Sequence, residues 1–185
     1  ENSMLMVTSV RKADKLKVES FVEGAQSYVL NLYKIDNYYR KYITHYRKAK
    51  QNKVLQPLTE KVEKVYCNDW LLNYGNKWQK VIDSTEKWYN QPKVAQHRFF
   101  SDHIKPFTTK GQRLFIIISD GLRYECGWEY LQKIQTEKRF EGELEYMISS
   151  LPSYTQLGMA SLLPNANMTF QPDSEYVLIN GNSTQ

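Results

Sequence analysis

Apolar residues recur along the first part of the chain with the period of a helix. Tyr28, Leu32, Ile35, Tyr39, Tyr42 and Tyr46 are spaced 4, 3, 4, 3 and 4 residues apart, which puts them on one helical face. The pattern predicts a helix from Ala13 to about Gln51, interrupted by "QNKVLQP", where Pro57 suits the first turn of the next helix. That second helix is expected from Leu58 to about Tyr74, stopping near Gly75. A third covers "NKWQKVIDSTEKWY", and Pro92 opens a fourth that ends before Pro106. No internal repeat aligns at a fixed period.

After "KPFTTKGQ" the period changes. "RLFIII" (113–118) is a short continuous apolar run, the pattern of a strand covered on both faces. Residues 121–135 read as a helix, and "ELEYMI" alternates so that Leu144, Tyr146 and Ile148 share one face of a second strand. "TQLGMASLL" is a short helix stopped by Pro164, and "YVLI" is a third strand. Strand–helix–strand–helix–strand is the order of a doubly wound parallel sheet. The expected fold class is therefore α/β: a helical region over residues 1–110, then the first part of a doubly wound sheet over 111–185. Because a parallel strand needs neighbours on both sides, and position 1 is not Met, the chain reads as an internal fragment of a larger protein.

Composition sharpens this division. Residues 1–110 carry 20 Lys/Arg and 11 Asp/Glu, a net +9, and residues 111–185 carry 5 and 9, a net −4. Two glycines lie in the first part and six in the second. No apolar run approaches the roughly 18–20 residues that cross a bilayer, and the start of the chain has no basic leader before an apolar stretch. Cys67 and Cys126 have no metal-type spacing and suggest no oxidising compartment. A soluble cytoplasmic protein without membrane contact is expected.

Two residues are placed to do chemistry. Asp120 stands just past the apolar run in "FIIISDGLRYE", and ligands of open α/β sheets gather at the carboxyl ends of strands. A carboxylate there can hold a cation, with Gly121 allowing a sharp turn; equally, it can cap the helix expected from Leu122. Thr155, in "LPSYTQLGMASLLP", lies at the N-terminus of a short helix, where free N–H groups suit a phosphate. Its hydroxyl can attack phosphorus if a metal lowers its pKa, or Thr155 or Ser153 can simply be an N-cap. Arg123 can reach a substrate phosphate or form a local ion pair with its surroundings.

Other candidates favour structural explanations. His97 and His103 are six residues apart, whereas a helical zinc pair calls for four. The tyrosines at 28–46 could stack bases, but their helical spacing suits a core. The Lys/Arg excess could contact nucleic acid or an acidic partner, although it forms no dense block.

"FIIISDGLRYE", "LPSYTQLGMASLLP" and the trailing "NGNST" closely resemble the PglZ domain of the alkaline phosphatase superfamily, as found in type A proteins of bacteriophage exclusion (BREX) systems. "YKIDNYYRKYI" and "LTEKVEKVYCNDWLL" resemble the helical region that precedes it. The resemblance implies a phage-defence phosphatase or phosphodiesterase working with other BREX proteins on a phosphate ester of unknown type. It implies that Asp120 ligates a divalent metal, commonly zinc, and that Thr155, bound by the same metal, is the nucleophile. A second metal is implied, held by Asp and His ligands beyond Gln185, for which His45, His97 and His103 cannot stand in by motif. The chain alone is then expected to be inactive, with at most one partial metal site. Gly121, where many relatives have Ala, and "CGWEY" after it depart from the family pattern. The alternative implied role is a non-enzymatic scaffold within the defence complex.

Overall fold

A computed structural model of the chain describes residues 1–50, 52–86, 94–164, 167–171, 174 and 176–183. The chain forms two compact units, Glu1–Trp88 with Arg123–Leu144, and Tyr89–Leu122 with Glu145–Gln185. The helix after Arg123 belongs with the N-terminal helices, because its side chains find their partners there.

In the first unit the helical expectation holds with changed boundaries. The chain is helical from the outset, over α1 (Asn2–Asp14), whose Met6, Val10 and Ala13 are buried. It then breaks before α2 (Phe21–Ser27). Ser20 makes that start: its hydroxyl accepts the Glu23 N–H at 3.2 Å, and Glu23 reaches back to the Glu19 N–H at 3.4 Å, a variant of the capping box. A π-helical turn at Tyr28–Leu32 leads into α3 (Tyr33–Ala49), which ends where Lys50 turns left-handed. The next helix begins at Asn52, not at Pro57: α4 (Asn52–Lys64), a π-helical stretch (Val65–Leu72) and α5 (Asn73–Ser84) follow without a break. Gly75 therefore lies inside α5 rather than ending a helix, since its neighbours Tyr74 and Trp78 supply the packing that outweighs its weak propensity. The expected helix start at Pro92 lies outside the described residues.

The tyrosine stripe packs as its spacing predicts. Leu32 and Ile35 join Met6, Val10, Ala13, Val62, Tyr66 and Trp70 in one buried cluster, with Tyr28, Tyr39 and Tyr42 against it. Tyr39 stacks flat on Tyr66 with ring centres 3.7 Å apart. Helix α7 (Tyr124–Gln135) completes this unit, with Tyr124 and Trp128 both meeting Tyr33 at 5.5 Å between ring centres.

Two buried carboxylates anchor these contacts. Asp36 of α3 accepts from the Tyr28 and Tyr66 hydroxyls at 2.5 and 2.8 Å and from Trp70 Nε1 at 2.9 Å. Glu125 of α7, fully buried, accepts from Arg40 Nε at 2.9 Å, Arg40 Nη2 at 2.8 Å and Asn37 Nδ2 at 3.2 Å. Glu129 extends the pair, bonding both Arg40 and Lys41. Burial drives the Glu125 pKa upward, but the bonds from Arg40, Cys126 and Asn37 outweigh it and hold the carboxyl below its ordinary 4.5.

In the second unit, residues 96–109 are helical in short pieces: a 3₁₀ turn at Gln96–Arg98, a π-helical turn at Phe100–Ile104, and α6 (Lys105–Thr109). The helix passes through Pro106 instead of ending before it, because proline is tolerated in a first turn. The run 113–118 is not a paired strand among the described residues. Phe115 is 81% and Ile117 93% exposed. Apolar content records a capacity for burial, whereas a strand also requires a neighbour for its N–H and C=O groups. In 143–148 Leu144, Tyr146 and Ile148 do share the more buried face. Among the described residues only Ile148 pairs, in a parallel bridge with Ala95, with Gln96 N–H to Ile148 C=O at 2.9 Å and Ile148 N–H to Val94 C=O at 2.6 Å.

Helix α8 (Thr155–Leu162) precedes an antiparallel meander of β1 (Met168–Phe170), β2 (Val177–Ile179) and β3 (Asn182–Ser183). "YVLI" is thus its central strand and not a parallel one. Ile179 pairs with Asn182 across Asn180-Gly181, whose φ values of 51° and 82° are those of a type I′ hairpin. A two-residue link can only return the chain antiparallel. Leu157 and Ala160 of α8 bury against Val177 and Ile179, which seats the helix on the meander. Among the described residues no helix is long and apolar enough to cross a membrane.

Truncating Arg40 to Ala leaves Glu125 buried without its cation, which should cost about 3–5 kcal/mol in urea unfolding. Because the Glu125 pKa is depressed on folding, its contribution is present above 4.5 and is lost as pH falls through and below that value. The stability difference between wild type and Glu125→Gln in urea unfolding should accordingly shrink from pH 6 to pH 3.

Candidate active site

Thr155 and Asp120 come together in the second unit. Thr155 Oγ1 donates to Asp120 Oδ2 at 3.3 Å, across 35 residues of sequence. Both side chains are exposed, so a substrate can approach them.

The local backbone explains each position. Asp120 and Gly121 form a turn closed by Leu122 N–H to Ser119 C=O at 3.3 Å. Gly121 has φ 68° and nothing within 4 Å of where a Cβ would stand. Conformation, not space, is what calls for glycine here. Asp120 caps no helix: α7 begins at Tyr124 with Arg123 as N-cap and no side-chain cap bond. Thr155 is likewise no cap. It is the first residue of α8, with Tyr154 as the N-cap in extended conformation. Ser153 is exposed and makes no cap either.

Four hydrogen bonds hold the Thr155 turn from behind. Gln96 Oε1 accepts the Ser150 N–H at 3.2 Å and Gln96 Nε2 donates to the Gly158 C=O at 3.1 Å. The Ser150 and Ser161 hydroxyls meet at 2.7 Å, and the buried Ser161 donates to the Leu157 C=O at 2.7 Å. Sequence reasoning missed Gln96 and Ser161; nothing in local periodicity marks a polar residue whose partner lies 62 positions away.

Arg123 is engaged elsewhere, in the first unit, with Nη2 3.8 Å from Asp36 Oδ1. Burial works against its charge, but the Tyr66 hydroxyl and Asp36 more than compensate and raise its pKa. His97 is exposed, and His103 lies 3.6 Å from Glu145, far from a helical zinc pair in arrangement.

A carboxylate and a hydroxyl 3.3 Å apart offer two oxygen donors of the kind that hard and borderline cations take. They fit one side of such a site and are half of a tetrahedral set. Among the described residues no group of three His, Cys, Asp or Glu gathers that could hold a metal alone.

Residues 99–185 match the family profile of the BREX system PglZ alkaline phosphatase-like domain. Over 152 residues, 81% of the chain, it is 32% identical to the alkaline phosphatase-like protein PglZ of Bacillus cereus (strain H3081.97). Over 170 residues, 86% of the chain, it is 35% identical to the alkaline phosphatase-like protein BrxZ of Escherichia coli O9:H4 (strain HS). These matches span 18% and 19% of the two relatives, so the chain covers under a fifth of their length. No solved structure gives a significant match.

If the left-handed backbone at Gly121 sets the turn, Gly121→Ala should destabilise the second unit by about 1–2 kcal/mol. Gly121→Asn should cost less, since Asn tolerates that conformation. Equal costs in thermal unfolding would show that the turn does not depend on it. Residues 99–185 thus belong to the PglZ alkaline phosphatase-like domain family, and most of the chain is similar to the two PglZ-domain relatives.

Proposed function

We propose that the turn carrying Asp120 and the first turn of α8 form the phosphoryl-transfer corner of a metal-dependent phosphatase or phosphodiesterase acting in BREX phage defence. The observation that carries this is the Thr155–Asp120 contact, made by two residues that a capping role does not account for. Thr155 is the nucleophile. Its Oγ1 forms a bond to phosphorus as the bond from phosphorus to the leaving oxygen breaks. Asp120 Oδ2 accepts the hydroxyl hydrogen bond and so directs the lone pairs of Oγ1 away from itself, while the proton leaves to solvent and the departing oxygen takes one up. The N-terminus of α8 stabilises negative charge nearby. A divalent metal held by Asp120 and Thr155, zinc in this reading, would lower the pKa of the hydroxyl.

The remaining ligands, and a second metal site, lie outside this chain in this reading, and the chain alone is inactive. The finer fold follows the same line. The run 113–118 becomes a central strand of a doubly wound sheet, with residues 1–110 as the preceding helical region. Its unpaired, exposed apolar side chains support that reading. The substrate is a phosphate ester, the partners are other BREX proteins, and the setting is the cytoplasm. Arg123 is left out of the phosphate site because Asp36 and Tyr66 already account for its guanidinium. Nucleic-acid contact through the tyrosines is left out too, since Tyr28, Tyr39 and Tyr42 pack against the core.

The test is hydrolysis of p-nitrophenyl phosphate and bis(p-nitrophenyl) phosphate by the full-length protein, with added zinc or manganese. Thr155→Ala and Asp120→Ala should each lower kcat by at least about a thousandfold while remaining folded. An inactive wild type, or a fully active Thr155→Ala, would leave the scaffold role as the better account.

A further inference from the structure

We infer that Gln96 is a positioning residue for the Thr155 hydroxyl, acting through the backbone on both sides of it. This rests on the reading of Thr155 as nucleophile and goes beyond it. Gln96 lies outside the matched residues 99–185, in a stretch that sequence reasoning assigned only to helices.

The geometry is that of a clasp. Ser150 precedes the Thr155 turn and Gly158 follows it, and one carboxamide bonds both, at 3.2 and 3.1 Å. The orientation of that amide is dictated by its partners. The Ser150 N–H can only donate, so it faces Oε1; the Gly158 C=O can only accept, so it faces Nε2. Glutamine supplies donor and acceptor together at the end of one flexible stem.

The clasp is itself fixed. Ala95 and Gln96 are tied to Ile148 by the parallel bridge, so the backbone that carries the carboxamide is paired to the segment leading into the turn. Behind it the Ser150–Ser161 bond links the same segment to the buried face of α8. The Thr155 side chain is exposed and donates to Asp120. The hydroxyl is thus held in register chiefly from the back of its helix, and among the described residues Gln96 is the side chain that bonds the backbone on both sides of the turn. Displacing a reacting group by about 1 Å can cost about a hundredfold in rate.

The experiment uses the full-length protein, p-nitrophenyl and bis(p-nitrophenyl) phosphate as probes, and the variants Gln96→Met, Gln96→Glu and Thr155→Ala. Gln96→Met keeps the length of the side chain and removes both bonds. It should lower kcat about 10- to 100-fold with KM within about threefold of wild type. Gln96→Glu keeps the acceptor but sets a carboxylate against the Gly158 carbonyl. Its activity relative to wild type should be low near neutral pH and rise as pH falls, because a protonated carboxyl regains a donor. A merely structural residue would not produce that pH-dependent recovery.

Wild-type kcat in Gln96→Met beside an inactive Thr155→Ala would overturn the clasp alone. A pH-independent ratio for Gln96→Glu would overturn it as well, including where Gln96→Met fails to fold. Full activity in Thr155→Ala, or an inactive wild type, would instead overturn the nucleophile assignment on which the clasp depends.

Discussion

A carboxylate that water barely reaches organises the helical unit. Asp36 is 4% exposed, and an ionised group there costs several kcal/mol unless its oxygens are satisfied. Tyr28, Tyr66 and Trp70 satisfy them while presenting ring faces to the apolar core. This explains why aromatics carrying a polar tip sit among the aliphatic side chains of the core: each ring both fills space and donates. The two hydroxyls are held protonated as a result, with burial and the Asp36 charge together pushing their pKa values up. From the neighbouring positions of α3, Asn37 and Arg40 do the same for Glu125. A single stretch of α3 thereby fixes both the helix-packing geometry and the position of α7.

The second unit is organised differently. Its apolar cluster of Leu157, Ala160, Val177 and Ile179 is small, and the hydroxyl and carboxylate of the candidate site stand at its surface. Orientation there comes from hydrogen bonds to backbone and from turn conformation, at Gly121, Gln96 and Ser161. Such a site can be exact in geometry while remaining open, because the groups that locate it are behind the hydroxyl and carboxylate and not around them.

How much of this the sequence made legible depends on how local each cause is. The tyrosine face of α3 was readable because helical spacing is a local property, and so was the alternation of Leu144, Tyr146 and Ile148. The break before α2 was also written locally, in Ser20 and Glu23, and the antiparallel turn in Asn180-Gly181. A parallel-sheet expectation for "YVLI" overrode that second signal. Asp120 and Thr155 drew attention one at a time, each with a capping role as a competing explanation. Only their contact and the actual helix starts, at Tyr124 and Thr155, separate the two. The burial of Glu125 was not legible at all. An isolated glutamate in "LRYECG" reads as a surface residue until Arg40, 85 positions earlier, is brought against it.

The bare run from Phe115 to Ile118 has a practical consequence for the chain in solution. Four consecutive β-prone apolar residues that pair with no strand among the described residues form the sort of segment that pairs with copies of itself in other molecules. Lys110 and Arg113 before it and Asp120 after it bracket the run with charge, as gatekeeper residues do in aggregation-prone strands. The acidic residue singled out for its chemistry therefore doubles as a guard. Neutralising it would alter not only what the turn can bind but how well the chain stays dispersed at high concentration.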